Sequence, residues 1–92
     1  MSRYLKIETQ FTDRATFEAA LEAACGQRGI PFEVHARPDH LYGYQGDRRQ
    51  ETAHYIVRRR HVGQAANDLG FRREADGTIS AVISEFDSRR SG

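Results

Sequence analysis

The sequence predicts an α+β domain in which one helix packs on a mainly antiparallel sheet of about five strands, in the order β-α-β-β-β-β(-β). Three observations carry that expectation. The chain opens on an alternating apolar and polar segment, continues with an apolar stripe at helical spacing, and closes on strand-like runs joined by the turn signal Asp76-Gly77.

From Tyr4 to Phe11 the residues Leu5, Ile7 and Phe11 fall on one face and Lys6, Glu8 and Gln10 on the other, the period-two pattern of a half-buried strand. Thr12 or Asp13 then offers a side-chain oxygen to the orphan N–H groups of a helix start. Phe17, Ala20, Leu21, Ala24 and Cys25 recur at i, i+3, i+4, i+7 and i+8, which forms one stripe to lay against a sheet. Gly26 or Gly29 stops the helix, and Pro31 forbids its continuation.

Ile30 to Val34 predicts a short strand, which Pro38 marks as an edge or an exit. In Leu41 to Gly46, Gly43 and Gly46 suggest a bulge or a close backbone approach, and Tyr42 and Tyr44 share a face if the segment is extended. Asp47 to Glu51 reads as a polar turn. Ala53 to Arg59 carries apolar residues on both faces, as a central strand does, and Val62 to Asn67 is too short for more than one helical turn. Asp68 to Arg72 and Thr78 to Phe86 complete a hairpin around Asp76-Gly77.

The chain of 92 residues forms one domain, 1–92, with a modest core. Charged residues make up 29% and hydrophobic residues 38%, a polar balance that still contains enough Phe, Tyr, Ile and Val to fold. The formal charge of +1 gives no bulk attraction to nucleic acid or anionic lipid, so such binding needs a local patch. Cys25 alone excludes an internal disulfide and a cysteine-based metal framework. With a charged amino terminus and no long apolar run, the expectation is a soluble protein of the cytoplasm or an equivalent compartment.

Several of these segments, in their order, resemble the domain of unknown function 1257 family, found in algal plastids, cyanobacteria, other bacteria and phages. They are Tyr4-Leu-Lys-Ile-Glu-Thr-Gln-Phe-Thr-Asp13, Ala19-Ala-Leu21-Glu22, Gly43-Tyr44-Gln45-Gly46, and Asp68-Leu-Gly-Phe71 with Asp76-Gly77 ending at Asp87. The resemblance implies a small α+β domain without an established activity, and an accessory or adaptor role beside an AAA-type ATPase. The chain departs from the family pattern in its Pro31 to Leu41 region, in lacking a tryptophan near the end, and in stopping at Ser88 to Gly92 where relatives often continue.

The candidate binding surface comprises Tyr42, Gly43, Tyr44 and Gln45 together with Arg58, Arg59, Arg60, Arg72 and Arg73. Tyrosine presents a rigid face with a polar tip, glycine admits a partner backbone, and arginine among aromatics grips phosphate and stacks on bases. The same residues also read as a bulged strand and as a charged edge that resists aggregation.

His35, His40 and His54 would make a metal site only if the fold brings them together, with Asp39 as a further ligand. Cys25 on the apolar stripe reads as core, and the dispersed carboxylates give no catalytic pair by spacing. Asp68 and Asp87, at the outer ends of the hairpin, could face each other; a turn or cap role is the simpler account of Asp68. The expected function is a non-enzymatic protein-interaction module, adaptor or homodimer, without cofactor. The alternatives are a nucleic-acid-binding module and, third, a metal-dependent or small-molecule enzyme.

Overall fold

The computed structural model describes residues 3–63, 65–85 and 87. Its elements are β1 (Tyr4–Glu8), α1 (Arg14–Arg28), β2 (Glu33–Tyr42), β3 (Arg48–Val57), a 3-10 turn at Arg59–His61, β4 (Leu69–Arg73) and β5 (Ile79–Ser84). The strands form one antiparallel sheet in the order β1-β5-β4-β3-β2, so the α+β architecture predicted from the pattern is the one observed. Phe86, the expected end of the last strand, lies outside the described residues.

β1 is shorter than its alternation predicts because the ladder breaks at Thr9: its N–H and its hydroxyl both donate to the Ile79 carbonyl, but the Ile79 N–H donates to the Phe11 carbonyl rather than back to Thr9. Phe11 is thereby turned onto Phe17, ring centroids 5.3 Å apart. Asp13, not Thr12, caps α1: its Oδ2 accepts from the Thr16 N–H at 2.8 Å and from the Thr16 hydroxyl at 2.7 Å. Gly29 ends the helix in the left-handed conformation. The buried stripe is narrower than predicted. Phe17, Leu21 and Cys25 are buried, whereas Ala20 and Ala24 are exposed.

Two strands begin earlier or run longer than the sequence suggests. β2 takes in Pro38 because it lies on the sheet edge, where a missing N–H removes no ladder bond, and its register breaks between Val34 and Asp39. The polar turn expected at Asp47 to Glu51 falls at Gly43–Asp47 instead, closed by Gly43 N–H to Asp47 O at 2.8 Å, and β3 already runs from Arg48. Gly46 supplies the positive φ of 81° on which that turn depends. Tyr42 therefore ends a strand while Tyr44 stands in a turn, so the pair do not form an extended aromatic face.

The core lies on both sides of the sheet. Beneath α1, Phe17, Leu21 and Cys25 meet Tyr55, Val57 and Ile79, with Leu69 and Phe71 packed alongside. On the opposite face Tyr4, Leu41, Ala53, Ile56 and Val82 form a second cluster. The distal part of the β2–β3 hairpin curls over that second face, since the Asp68 N–H donates to the Tyr42 carbonyl although β3 separates β2 from β4 in the sheet. This explains why Ala53 to Val57 is buried throughout: both faces of β3 are covered.

A helix with its side chains is about 10 Å across, and strands are about 4.8 Å apart, so one helix covers about two strands. The register shows which two. Two rows of side chains cross the helix-bearing face, Val57–Leu69–Ile83–Leu5 and Tyr55–Phe71–Ala81–Ile7. The β3 and β4 members pack against α1, whereas Leu5, Ala81 and Ile83 are half-buried and Ile7 is 46% exposed. The apolar face predicted for β1 exists, but α1 does not reach it.

Gly70 is the tightest backbone approach on the other face: a Cβ there would lie 2.5 Å from Ala53 Cβ and 3.1 Å from Leu41 Cδ2. Gly70→Ala is expected to destabilise the fold by about 1–3 kcal/mol through overpacking. Urea denaturation checks this, and Ala53→Gly in the same chain should recover part of the loss.

Candidate functional site

The residues singled out from the sequence occupy three separate places. Tyr42, Gly43, Tyr44 and Gln45 form the strand end and turn beside Arg58, Arg59 and Arg60, and a cleft of about 400 Å³ is lined by Tyr42, Gly46, Arg58, Arg59, Arg60 and Asp68. Arg72 and Arg73 lie at the far end of β4 from Asp68, which is the residue that meets the turn. They point to opposite faces by strand alternation. Arg72 bonds the Thr52 hydroxyl and lines a second cleft with Tyr4, Lys6 and Val82, whereas Arg73 lies over the Tyr55 ring at 6.0 Å and reaches the Ala36 carbonyl. Both arginines thus stand beside the central strand β3, at Thr52 and Tyr55, whereas strand direction and pleat keep them from joining the Gly-Tyr segment in the single surface expected of them.

At the cleft floor, Arg58 is a structural group. Guanidinium has five N–H donors in a fixed fork, and all five are engaged here. Nε and Nη2 grip the Glu33 carboxylate at 2.9 and 2.8 Å, Nη2 also reaches Asp39 Oδ2 at 3.0 Å, and Nη1 donates to Asp68 Oδ2 at 2.8 Å and to the His40 carbonyl at 3.1 Å. Its side chain is 16% exposed and that of Asp68 2%. These bonds, above all the one with Glu33, push the guanidinium further up from its ordinary value. The same fork holds the Glu33 carboxyl at about 2.

Asp68 gathers the chain around this arginine. Its carboxylate accepts from the Tyr42 N–H at 2.8 Å and the Arg59 N–H at 2.8 Å as well as from Arg58, while its carbonyl accepts from the Tyr4 hydroxyl at 2.6 Å. Burial, reinforced by the charge of Asp68, raises the Tyr4 phenol well above its usual range, so it donates at every ordinary pH. Asn67 continues the arrangement: its Oδ1 accepts from the Tyr44 N–H, and its amide donates to Ser84 Oγ and Asp87 Oδ2. Asp68 and Asp87 are thus both buried, with Asn67 donating to Asp87 and Arg58 neutralising Asp68. The sequence offers Asp68 a place facing Asp87 or, more simply, a turn or cap role, and does not connect it to Arg58, Glu33 or Tyr4. The available signal was a charged arginine directly after a five-residue buried run.

His35, His40 and His54, whose convergence a metal site would need, stay apart. His40 Nδ1 faces the Arg49 carbonyl at 2.8 Å, while buried His54 accepts the Arg73 N–H at Nδ1 and has its pKa lowered, chiefly by that burial. His35 instead joins Glu33 and Asp39, with ligand atoms within 4.8 Å of one another. Arg58 already holds both carboxylates of that group, so a divalent cation would have to displace a guanidinium. Cys25 is buried, which raises its thiol pKa and leaves it unactivated. Among the described residues, Arg59 and Arg60 make no side-chain ion pair, and they are the cations of this cleft with capacity for a ligand.

No family model matches the chain, and no curated protein or solved structure does. Among the described residues no helix is long and apolar enough to cross a membrane.

Two outcomes follow from the Arg58 assembly. Asp68→Asn should cost about 3–5 kcal/mol in chemical denaturation, because it removes one charge of a buried pair and turns an amide donor toward other donors. The second concerns acid. Glu33 has its pKa lowered from 4.5 to about 2, so it stabilises the fold fully above its unfolded value and the contribution is lost as pH falls through that interval. Denaturation curves at pH 6 and near pH 2 should show a smaller acid loss for Glu33→Gln than for the wild type.

Proposed function

We propose that this protein is a non-enzymatic interaction module that docks a protein partner on the β1–β5 half of its sheet. The observation that carries this reading is the apolar group of half-buried Leu5, Ala81 and Ile83 and exposed Ile7, which lies beyond α1 and is continuous with the β1 edge. Exposed apolar surface bordered by charge is the usual mark of a protein contact. The ion pair of Arg3 with Glu85, just beyond the Leu5–Ile83 pair at the end of the two strands, supplies that border. The buried state of Cys25 and the engagement of Asp68 and Glu33 in ion pairs favour an interaction role over catalysis. The family resemblance makes an AAA-type ATPase the first partner to test, with this chain as its accessory.

Affinity capture from the native host compares the wild type with Ala81→Arg, whose long side chain can reach solvent without breaking the strand. A partner, which can be the chain itself, should be retained by the wild type and lost by the variant. Partners held equally by both would overturn the docking face. Retention of nucleic acid with a steep loss on added salt would favour the Arg59–Arg60 cleft instead.

A further inference from the structure

The main chain of β1 leaves a defined set of groups open. The Glu85 N–H donates to the Arg3 carbonyl at 2.7 Å and the Thr9 N–H to the Ile79 carbonyl at 2.9 Å. Antiparallel hydrogen-bonded pairs alternate along a ladder, so the odd-numbered residues Leu5 and Ile7 turn their N–H and C=O toward β5. Tyr4, Lys6 and Glu8 turn theirs outward, where no described strand stands. The opposite edge is closed to such pairing, since β2 carries Pro38, a register break and the charged residues Arg37 and Asp39.

We infer that a second copy of this chain pairs antiparallel along β1, on a two-fold axis through Ile7, with Lys6 of each copy opposite Glu8 of the other. The inference rests on the reading of the β1–β5 face as a docking surface and names its occupant. Two-fold symmetry perpendicular to the sheet pairs residues of equal parity, which limits the registers. An axis through Lys6 sets the two lysines against each other. An axis through Leu5 puts Ile7 opposite Arg3 and leaves Glu8 without a cross-strand cation. The axis through Ile7 makes an Ile–Ile contact at the close, non-hydrogen-bonded position and two Lys–Glu pairs at hydrogen-bonded positions, each exchanging two main-chain bonds.

The side chains suit that register. Glu8 is exposed and makes no ion pair among the described residues. Lys6 is 56% exposed and forms an ion pair with Glu74 at 2.6 Å, and its three-donor ammonium retains capacity for the second copy. On the helix-bearing face the contact joins Leu5, Ile7, Ala81 and Ile83 of both copies into one apolar strip between the two helices, so part of the surface that α1 leaves bare is removed from water.

Sedimentation equilibrium on the purified full chain tests this with Lys6→Glu and Glu8→Lys. The wild type should dimerise, and each substitution should weaken the dimer at least about tenfold, since two opposite-charge pairs become two like-charge pairs. An equimolar mixture should restore the dimer, because one protomer then carries carboxylates at both positions and the other ammonium groups. If Lys6→Glu fails to fold for want of its bond to Glu74, Glu8→Lys against Glu8→Gln decides the matter: the lysine must weaken dimerisation more.

A monomeric wild type, a dimer indifferent to both substitutions, or a mixture that stays monomeric overturns the inference. A monomer that still captures an Ala81→Arg-sensitive partner overturns the dimer and leaves the docking face standing. A monomer without such a partner overturns both.

Discussion

The carboxylate of Asp68, buried against the guanidinium of Arg58, fixes the connections that antiparallel ladders alone would leave open. Ladder bonds order five strands, but they do not tell the β2–β3 hairpin to curl over the second face, nor where the segment after β3 must cross to reach β4. Asp68 does both, because it accepts from Tyr42 at the end of β2 and from Arg59 at the start of that segment. A buried carboxylate is tolerable only when its lone pairs are filled and its charge is matched, so these partners are held together by the cost of leaving any one of them unpaired. Tyr4 ties β1 to the same point through the Asp68 carbonyl.

The arrangement changes the meaning of the arginine cluster. Arg58 is the residue that looks most like a ligand-binding cation by its company of tyrosines, yet it is saturated by Glu33, Asp39, Asp68 and a carbonyl. Its contribution is to align the acidic side chains of β2 with the start of β4. Arg59 and Arg60, beyond the strand end, differ from it only by position. They stand in the 3-10 turn, and among the described residues neither side chain shares the carboxylates that occupy Arg58.

Periodicity made the order of elements legible. It identified β1, the helix stripe and the closing hairpin because each is a local pattern that the fold does not override. It overestimated burial of Ala20, Ala24, Leu5 and Ile7, since a stripe records which face is apolar and not how far the covering layer extends. It divided β2 wrongly because Pro38 and the bulge interrupt the pattern without ending the strand. The polar assembly was out of reach for a different reason. Glu33, Arg58 and Asp68 lie far apart in the chain, and no spacing rule records that β2, the end of β3 and the start of β4 come together.

The two edges of the sheet are unlike each other. β2 is bulged and interrupted by proline, whereas β1 is short and regular and, among the described residues, open. A sheet with two permissive edges can add copies without limit and grow into a filament. With only one, any edge-to-edge contact consumes the sole available site on each participant, and growth terminates at the first step. In the proposed pairing of two copies, the irregularity of β2 is thus the stop signal, set by a strand that takes no part in the contact.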